Sequence, residues 1–331
     1  MQINNMKRFE KLDLFFICFL NTTVCLCLKT SLKFEVIADW GGAPFFPYKT
    51  FVELAVGREM AMLASKLEID AVLALGDNFY MDGVKDVDDP RFKETFETAF
   101  NYQSLGVPWL VVAGNHDYYG NASAQIAYTR KSSRWHFPEF YYLKSYKVPA
   151  SNMTVDIVMM DTVILCGNTD PQRPEEQPVL DCVNARNSLT HWKWLEKTLH
   201  SSRANYLLVC GHYPVYSIAT HGPTDCLVKK LRPLMKKNNV TAYFSGHDHN
   251  LQHIHVQPSE DYFVTGSTNF IDPSKKNANK IPPNSLAFHW GDMFSLGAFT
   301  YVDINAANMT VTFIRSNGKN LYTYSKGPRF M

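Results

Sequence analysis

The chain carries almost no excess charge of either sign: 33 lysines and arginines stand against 31 aspartates and glutamates, a formal net charge of +2. Bulk charge therefore gives no footing for nucleic acid or for an anionic membrane surface. No internal repeat is visible, so a repeat array is excluded. No apolar run reaches the ~20 residues that a spanning helix needs. No composition shift or Pro/Gly/Ser-rich linker divides the chain. Apolar residues make up 46% of the 331, enough core for one large domain or two modest ones.

Cysteine is sparse once the N-terminus is set aside. Cys18, Cys25 and Cys27 lie in a stretch where Lys7, Arg8 and Lys11 precede the apolar run 14–20, and a second apolar patch follows a polar break at Asn21-Thr22-Thr23. A basic region and a short apolar region read as a secretory signal over 1–30, with cleavage between Cys25 and Ser31. Asp13 and the polar break make it imperfect, and a signal anchor is the alternative. Sequons at Asn121, Asn152, Asn239 and Asn308 agree with secretion. Cys166, Cys182, Cys210 and Cys226 remain, and an oxidising compartment permits disulfides in any of three full pairings.

From residue 31 onward one domain is expected, built of alternating strands and helices. Strands are expected over 32–38, 69–75, 107–113, 155–160, 206–210 and 240–245. Helices are expected over 49–66, 90–100, 188–201 and 227–238. In the first helix Phe51, Leu54, Ala55, Met62 and Leu63 recur at helical spacing and should face the sheet. The unit 32–75 is βαβ, so its strands should be parallel. Residues 167–186 lack periodicity and are long for a plain connection. The later runs at 262–265, 299–304 and 309–314 read as a second sheet packed on the first.

Chemistry gathers where strands end. Asp39 follows the first strand, Asp77 and Tyr80 the second, and Asn115 and His116 the third. His212 follows the strand at 206–210, and His247 and His249 follow the strand at 240–245. Open α/β sheets place their sites at such carboxyl ends. A mononuclear zinc site needs three or four ligands. This set is too large for that and suits two metals sharing one carboxylate. Two ions about 3.5–4 Å apart clamp a phosphoryl group and hold a hydroxide for in-line attack. Asp39, Asp77 and Tyr80 are hard and anionic and favour a trivalent ion. Asn115 and the remaining histidines are neutral and suit a divalent one. An unperturbed phenol titrates near 10, so a phenolate in acid needs a strong Lewis acid, which Fe(III) is and Zn(II) is not.

The blocks Asp39-Trp40-Gly41-Gly42, Gly76-Asp77-Asn78-Phe79-Tyr80, Gly114-Asn115-His116-Asp117, Gly211-His212-Tyr213-Pro214 and Gly246-His247-Asp248-His249 resemble the five motif blocks of the purple acid phosphatases, in their short form. The resemblance runs from about Lys33 to Tyr324 and includes 121–128 and His221-Gly222-Pro223-Thr224. It implies the α/β (α+β) metallophosphoesterase fold, two packed β-sheets flanked by helices. Strand–helix alternation alone is equally compatible with a doubly wound sheet. It implies acid hydrolysis of phosphate monoesters through a metal-held hydroxide. Fe(III) would be bound by Asp39, Tyr80 and His249. Fe(II), Zn(II) or Mn(II) would be bound by Asn115, His212 and His247, with Asp77 bridging. His116 and His221 would face the substrate and help protonate the leaving alkoxide, so activity is expected to fall as rising pH deprotonates them. Cys166 and Cys226 match the family's disulfide, Cys210 reads as a buried thiol, and Cys182 has no role.

The segment 167–186 corresponds to one that covers the active site in related enzymes and is cut to raise activity, so a processing protease is an expected partner. The substrates implied are small phosphate esters or phosphoproteins, with no nucleic-acid partner and no membrane association after signal cleavage. The location implied is secreted or lysosomal. One departure is Thr220, where relatives often carry an acidic residue before the substrate-facing histidine. The competing readings are a phosphodiesterase or nucleotide hydrolase on the same fold, and a secreted di-iron redox protein.

Overall fold

In a computed structural model of the chain, residues 29–167 and 182–329 are described, with backbone alone for 182–185. The expected signal segment and most of the 167–186 connection lie outside the described residues.

Strands β1 (Leu32–Ile37), β2 (Ala71–Leu75), β3 (Trp109–Val112) and β4 (Trp135–His136) run parallel side by side. Every residue of β2 is buried, as a parallel strand covered on both faces must be. The chain then builds a second sheet from β5 (Tyr142–Lys147), β6 (Thr154–Met159), β7 (Tyr206–Cys210), β8 (Ala242–Ser245), β9 (Leu251–Val256), β10 (Glu260–Thr265) and β11 (Leu286–Trp290). Last, β12 (Ala298–Ile304), β13 (Met309–Arg315) and β14 (Asn320–Lys326) return to the first sheet, β12 pairing antiparallel with β1. The orders are β14-β13-β12-β1-β2-β3-β4 and β11-β9-β10-β8-β7-β6-β5. Both sheets therefore mix parallel and antiparallel pairs.

The two sheets share one apolar core, in which Phe34 of β1 meets the Tyr146 ring of β5 at 5.3 Å. Helix α1 (Phe51–Leu67) lies on the outer face of the first sheet. Thr50 starts it with a capping box: Glu53 N donates to Thr50 Oγ1 and Thr50 N donates to Glu53 Oε2. The short helices α2 (Ala122–Tyr128) and α3 (Thr162–Cys166) follow, then α4 (Cys182–Ser201) and α5 (Asp225–Lys237). The last three cover the outer face of the second sheet through Leu165, Leu195, Leu199, Leu227 and Leu231.

Several expectations need correction. The C-terminal strands β12 to β14 do not extend a second sheet; they complete the first, because β1 accepts them on its free edge. The stripe expected to bury α1 is only partly right: Leu63 packs against the core and Ala55 is half-buried, but the rest of the stripe faces outward. Phe51 is 87% exposed and Met62 43% exposed, while Val56, Met60, Ala61 and Ala64 are buried with Glu53 and Gly57. A glutamate and a glycine in the buried stripe hid it from a periodicity reading. Helix α4 starts at Cys182, so part of the 167–186 segment is helical. The helix expected over 90–100 is a π-helix over Phe92–Thr98. Cys166 and Cys226 form a disulfide and Cys210 is a buried free thiol; the Cys182 side chain lies outside the description.

Candidate metal centre

Parallel β1, β2 and β3 of one sheet and β7 and β8 of the other release the chain at the same end of the sandwich. Each release is a tight turn. Asp39, Asp77 and His247 all sit in the left-handed backbone region, at φ 55°, 50° and 69°. Non-glycine residues there are uncommon and concentrate where a side chain must be aimed. Backbone bonds join the turns: Asp39 N donates to Gly76 O, Tyr80 N to Gly41 O and Gly246 N to His212 O. Two glycines permit the close approach. A Cβ on Gly114 would overlap Asp77 N and Oδ1, and one on Gly246 would overlap Ala38 Cβ.

The side chains converge as two overlapping groups. In one, Tyr80 Oη lies 3.2 Å from Asp39 Oδ1 and 3.2 Å from His249 Nε2, and His249 Nε2 lies 3.7 Å from Asp39 Oδ1. In the other, His212 Nε2 lies 3.1 Å from Asn115 Oδ1 and 3.4 Å from Asp77 Oδ1, with the His247 ring centroid 5.1 Å from that of His212. Asp77 joins the two groups, since its carboxylate acts on the Tyr80 phenol as well as pairing with His212. His116 Nε2 stands 4.0 Å from Asp77 Oδ2, and the exposed His221 lies against His247 with ring centroids 4.0 Å apart. All nine residues expected at the site are thus brought to one place.

The electrostatics call for cations. Asp39 and Asp77 are buried, and among the described residues only histidines pair with them. Burial holds the Asp39 carboxyl well above the usual range, helped by Asp77. Burial also acts to raise Asp77, but His212 and His116 outweigh it and hold the group down. Two carboxylates in one dry pocket do not both ionise readily without a counter-ion. Burial, with Asp39 and Asp77, pushes the Tyr80 phenol well above 10. Burial pulls His249 down to about 4 and His247 well below its ordinary value. Both imidazoles therefore stay neutral in mild acid. His212 Nδ1 bonds the Leu75 carbonyl at 2.9 Å, which fixes its tautomer and aims Nε2 inward. Hard anionic donors beside imidazoles and an amide oxygen fit a pair of unlike metal ions.

A supporting layer escaped the sequence reading although part of it lies inside the motif blocks. Asp117 accepts from Gly114 N at 2.8 Å, from Asn78 N and from Gln125 Nε2. Asn78 in turn accepts from Trp40 Nε1 at 3.0 Å and donates to Val112 O and Gln125 Oε1. This ties the turns after β1, β2 and β3 together. Beneath it the Trp40 ring is packed by Phe79, Phe96, Phe100, Trp109 and Trp135. A second His/Asp group, His253, His255 and Asp261, also lies close enough to hold an ion. There Lys326 already pairs with Asp261 at 2.7 Å and His253 bonds Tyr322 Oη.

Residues 32–251 match the family model described as calcineurin-like phosphoesterase. The chain is 49% identical over 299 residues to human tartrate-resistant acid phosphatase type 5, covering 88% of this chain and 90% of that protein. It is 35% identical over 245 residues to purple acid phosphatase 7 of Arabidopsis thaliana, covering 71% and 70%. The solved structure of purple acid phosphatase PPD1 from yellow lupin superposes with a TM-score of 0.63 at 15% identity, over 90% of this chain and 54% of that one. That last likeness speaks for the fold.

Proposed function

The chain belongs to the calcineurin-like phosphoesterases and, within them, to the purple acid phosphatases, and we propose from this membership and from the geometry of its strand ends how it works. It is an acid phosphatase with a dinuclear metal centre. The names of its relatives favour this over the diesterase and redox readings. Tyr80, Asp39 and His249 form the pocket for a trivalent ion, with iron the element that suits a phenolate. Asn115, His212 and His247 form the pocket for Fe(II), Zn(II) or Mn(II), and Asp77 is shared. The observation that carries the assignment is the pair of adjacent triangles, Tyr80–Asp39–His249 and His212–Asn115–Asp77, close enough that Asp39, Asp77 and His212 also form one candidate metal-holding group.

When bound, the ions supply Lewis acidity, a nucleophile available in acid and charge neutralisation for the phosphoryl group. The protein's own groups do the rest. His116 holds the Met81 carbonyl through Nδ1 at 2.6 Å, which leaves Nε2 turned to the centre. His221 faces solvent above the divalent pocket, where a phosphate ester enters. His116 steadies the phosphoryl oxygens. His221 gives its proton to the ester oxygen as the P–O bond breaks with its electron pair on the leaving group. Such general acids contribute on the order of 10²–10⁴ in rate.

Small phosphate esters and phosphoproteins are the substrates. The location is secreted or lysosomal after removal of an N-terminal signal. In support, Asn121, Asn152 and Asn239 lie in exposed positions and Asn308 is half-buried, as glycan acceptors would be, and the Cys166–Cys226 disulfide suits an oxidising compartment. No helix among the described residues is long and apolar enough to cross a membrane. Cleavage within 167–186 by a processing protease raises activity.

The test is the visible absorption of the oxidised protein beside its Tyr80→Phe variant, with metal content measured on both. A purple band lost in the variant is expected. A colourless, metal-loaded and active wild type would remove the iron–phenolate assignment and leave a general dinuclear phosphoesterase.

A further inference from the structure

Asp248 sits between two proposed metal ligands, His247 and His249, and its side chain turns away from the metal pockets. Oδ1 accepts from His221 N at 2.9 Å. Oδ2 accepts from the Ser217 hydroxyl and from Gly222 N at 3.3 Å. The carboxylate is fully buried, so these bonds are made without competition from water.

Two more buried side chains grip the same loop. Gln252 accepts from Ile218 N at 2.9 Å through Oε1 and donates to Ser217 Oγ at 2.8 Å through Nε2. Asn277 donates through Nδ2 to Ala219 O at 2.5 Å and to Thr220 O at 3.2 Å, and its own N donates to Ile218 O at 2.9 Å. Residues 217–222 therefore have little freedom, although Thr220 and His221 are exposed. Thr220 offers no carboxylate to His221, so the anchor comes from below.

We infer that Asp248, with Asn277 and Gln252 behind it, is a positioning residue. It couples the segment carrying His247 and His249 to the loop carrying His221, so that the proton donor is held at a fixed place above the divalent pocket. This rests on the proposed role of His221. A buried carboxylate accepting from consecutive backbone amides is a strong, directional tether. A misplacement of about 1 Å of a reacting group can cost on the order of 10²-fold in rate.

The test compares kcat and KM on an alkyl phosphate, whose leaving alkoxide needs a proton, and on 4-nitrophenyl phosphate, whose leaving phenolate does not. Metal content is measured on every variant. For Asp248→Ala the expected result is both metals retained, KM little changed, a kcat loss of roughly 10²-fold on the alkyl ester and roughly tenfold or less on the nitrophenyl ester. Asp248→Asn, which still offers one oxygen to His221 N, recovers part of the loss. Adding His221→Ala to Asp248→Ala costs no more than His221→Ala alone, because the two act through one group. Equal losses on both esters, or multiplicative losses in the double variant, overturn the inference. If Asp248→Ala fails to fold or to hold metal, Asn277→Ala decides it by the same leaving-group criterion, since Asn277 is remote in sequence from every proposed ligand. If His221→Ala itself shows no leaving-group dependence, the role of His221 falls, and the positioning role falls with it.

Discussion

Replacing Asp161 by asparagine should make the fold less dependent on acid. Asp161 is fully buried at the start of α3, where Oδ1 accepts from Ile164 N at 2.8 Å and Oδ2 accepts from Tyr118 Oη at 2.6 Å. Burial raises its carboxyl to about 7, whereas in the unfolded chain an aspartate titrates near 3.9. The folded state thus keeps a proton that the unfolded state gives up. The stabilisation is complete below pH ~4 and is lost as pH rises through about 7. At ~1.36 kcal/mol per pKa unit, the part lost between pH 4.5 and pH 8 is on the order of 3 kcal/mol. Unfolding entropy of ~2.1 cal/mol/K per residue over a domain of about 300 residues converts this to about 5 °C in Tm. Asparagine keeps the cap through its oxygen and can donate to Tyr118 Oη, but it cannot titrate. Calorimetry of the metal-loaded wild type and Asp161→Asn at both pH values isolates the term, because the pH dependence of metal binding is common to both. The wild type should lose about 5 °C more than the variant on going from pH 4.5 to 8. Parallel curves would refute the reasoning.

Other outcomes follow from the same structure. Removing the Cys166–Cys226 disulfide, which closes a separation of 60 residues, with the double serine variant should cost about 4 kcal/mol, or about 6 °C in Tm, on the loop-entropy model; an unchanged Tm would mean the tether does not constrain the unfolded chain. Gly114→Ala places a methyl against Asp77 N and Oδ1, so elemental analysis should show metal content well below the wild type, with secondary structure by circular dichroism retained. Full loading of that variant would contradict the close approach. Burial pushes the Cys210 thiol far up, so it should react with a thiol reagent only after denaturation; rapid labelling of the native protein would show the strand β7 opens.

Much of the candidate site was legible because the proposed ligands stand in short blocks directly after apolar strands. The periodicity of 32–37 and 71–75 reports a buried strand, and the polar residue that follows each is where the chain must leave the sheet. The types of those residues, carboxylate, phenol, amide and imidazole, already imply two unlike metal ions. Sequence also carried the βαβ order of β1 and β2, whose hand and direction follow from a local crossover.

What remained hidden was non-local or depended on burial. Nothing in the local pattern of 298–326 says that these strands close the first sheet rather than extend the second, since strand pairing is set by which edge stays open. The face that α1 buries includes Glu53 and Gly57, so hydrophobicity located only part of it. Asp117 and Asp248 lie inside the motif blocks, yet their supporting roles could not be read from sequence. Backbone turns point Asp39 and Asp77 into the pocket and Asp248 away from it, and only the packed sandwich shows which amides each carboxylate meets. Sequence by itself determined which atoms could bind metal, because donor chemistry belongs to the residue. The tertiary structure alone decided which of those atoms share a pocket and which hold the loop of His221 in place, because distance and desolvation exist only once both sheets have come together.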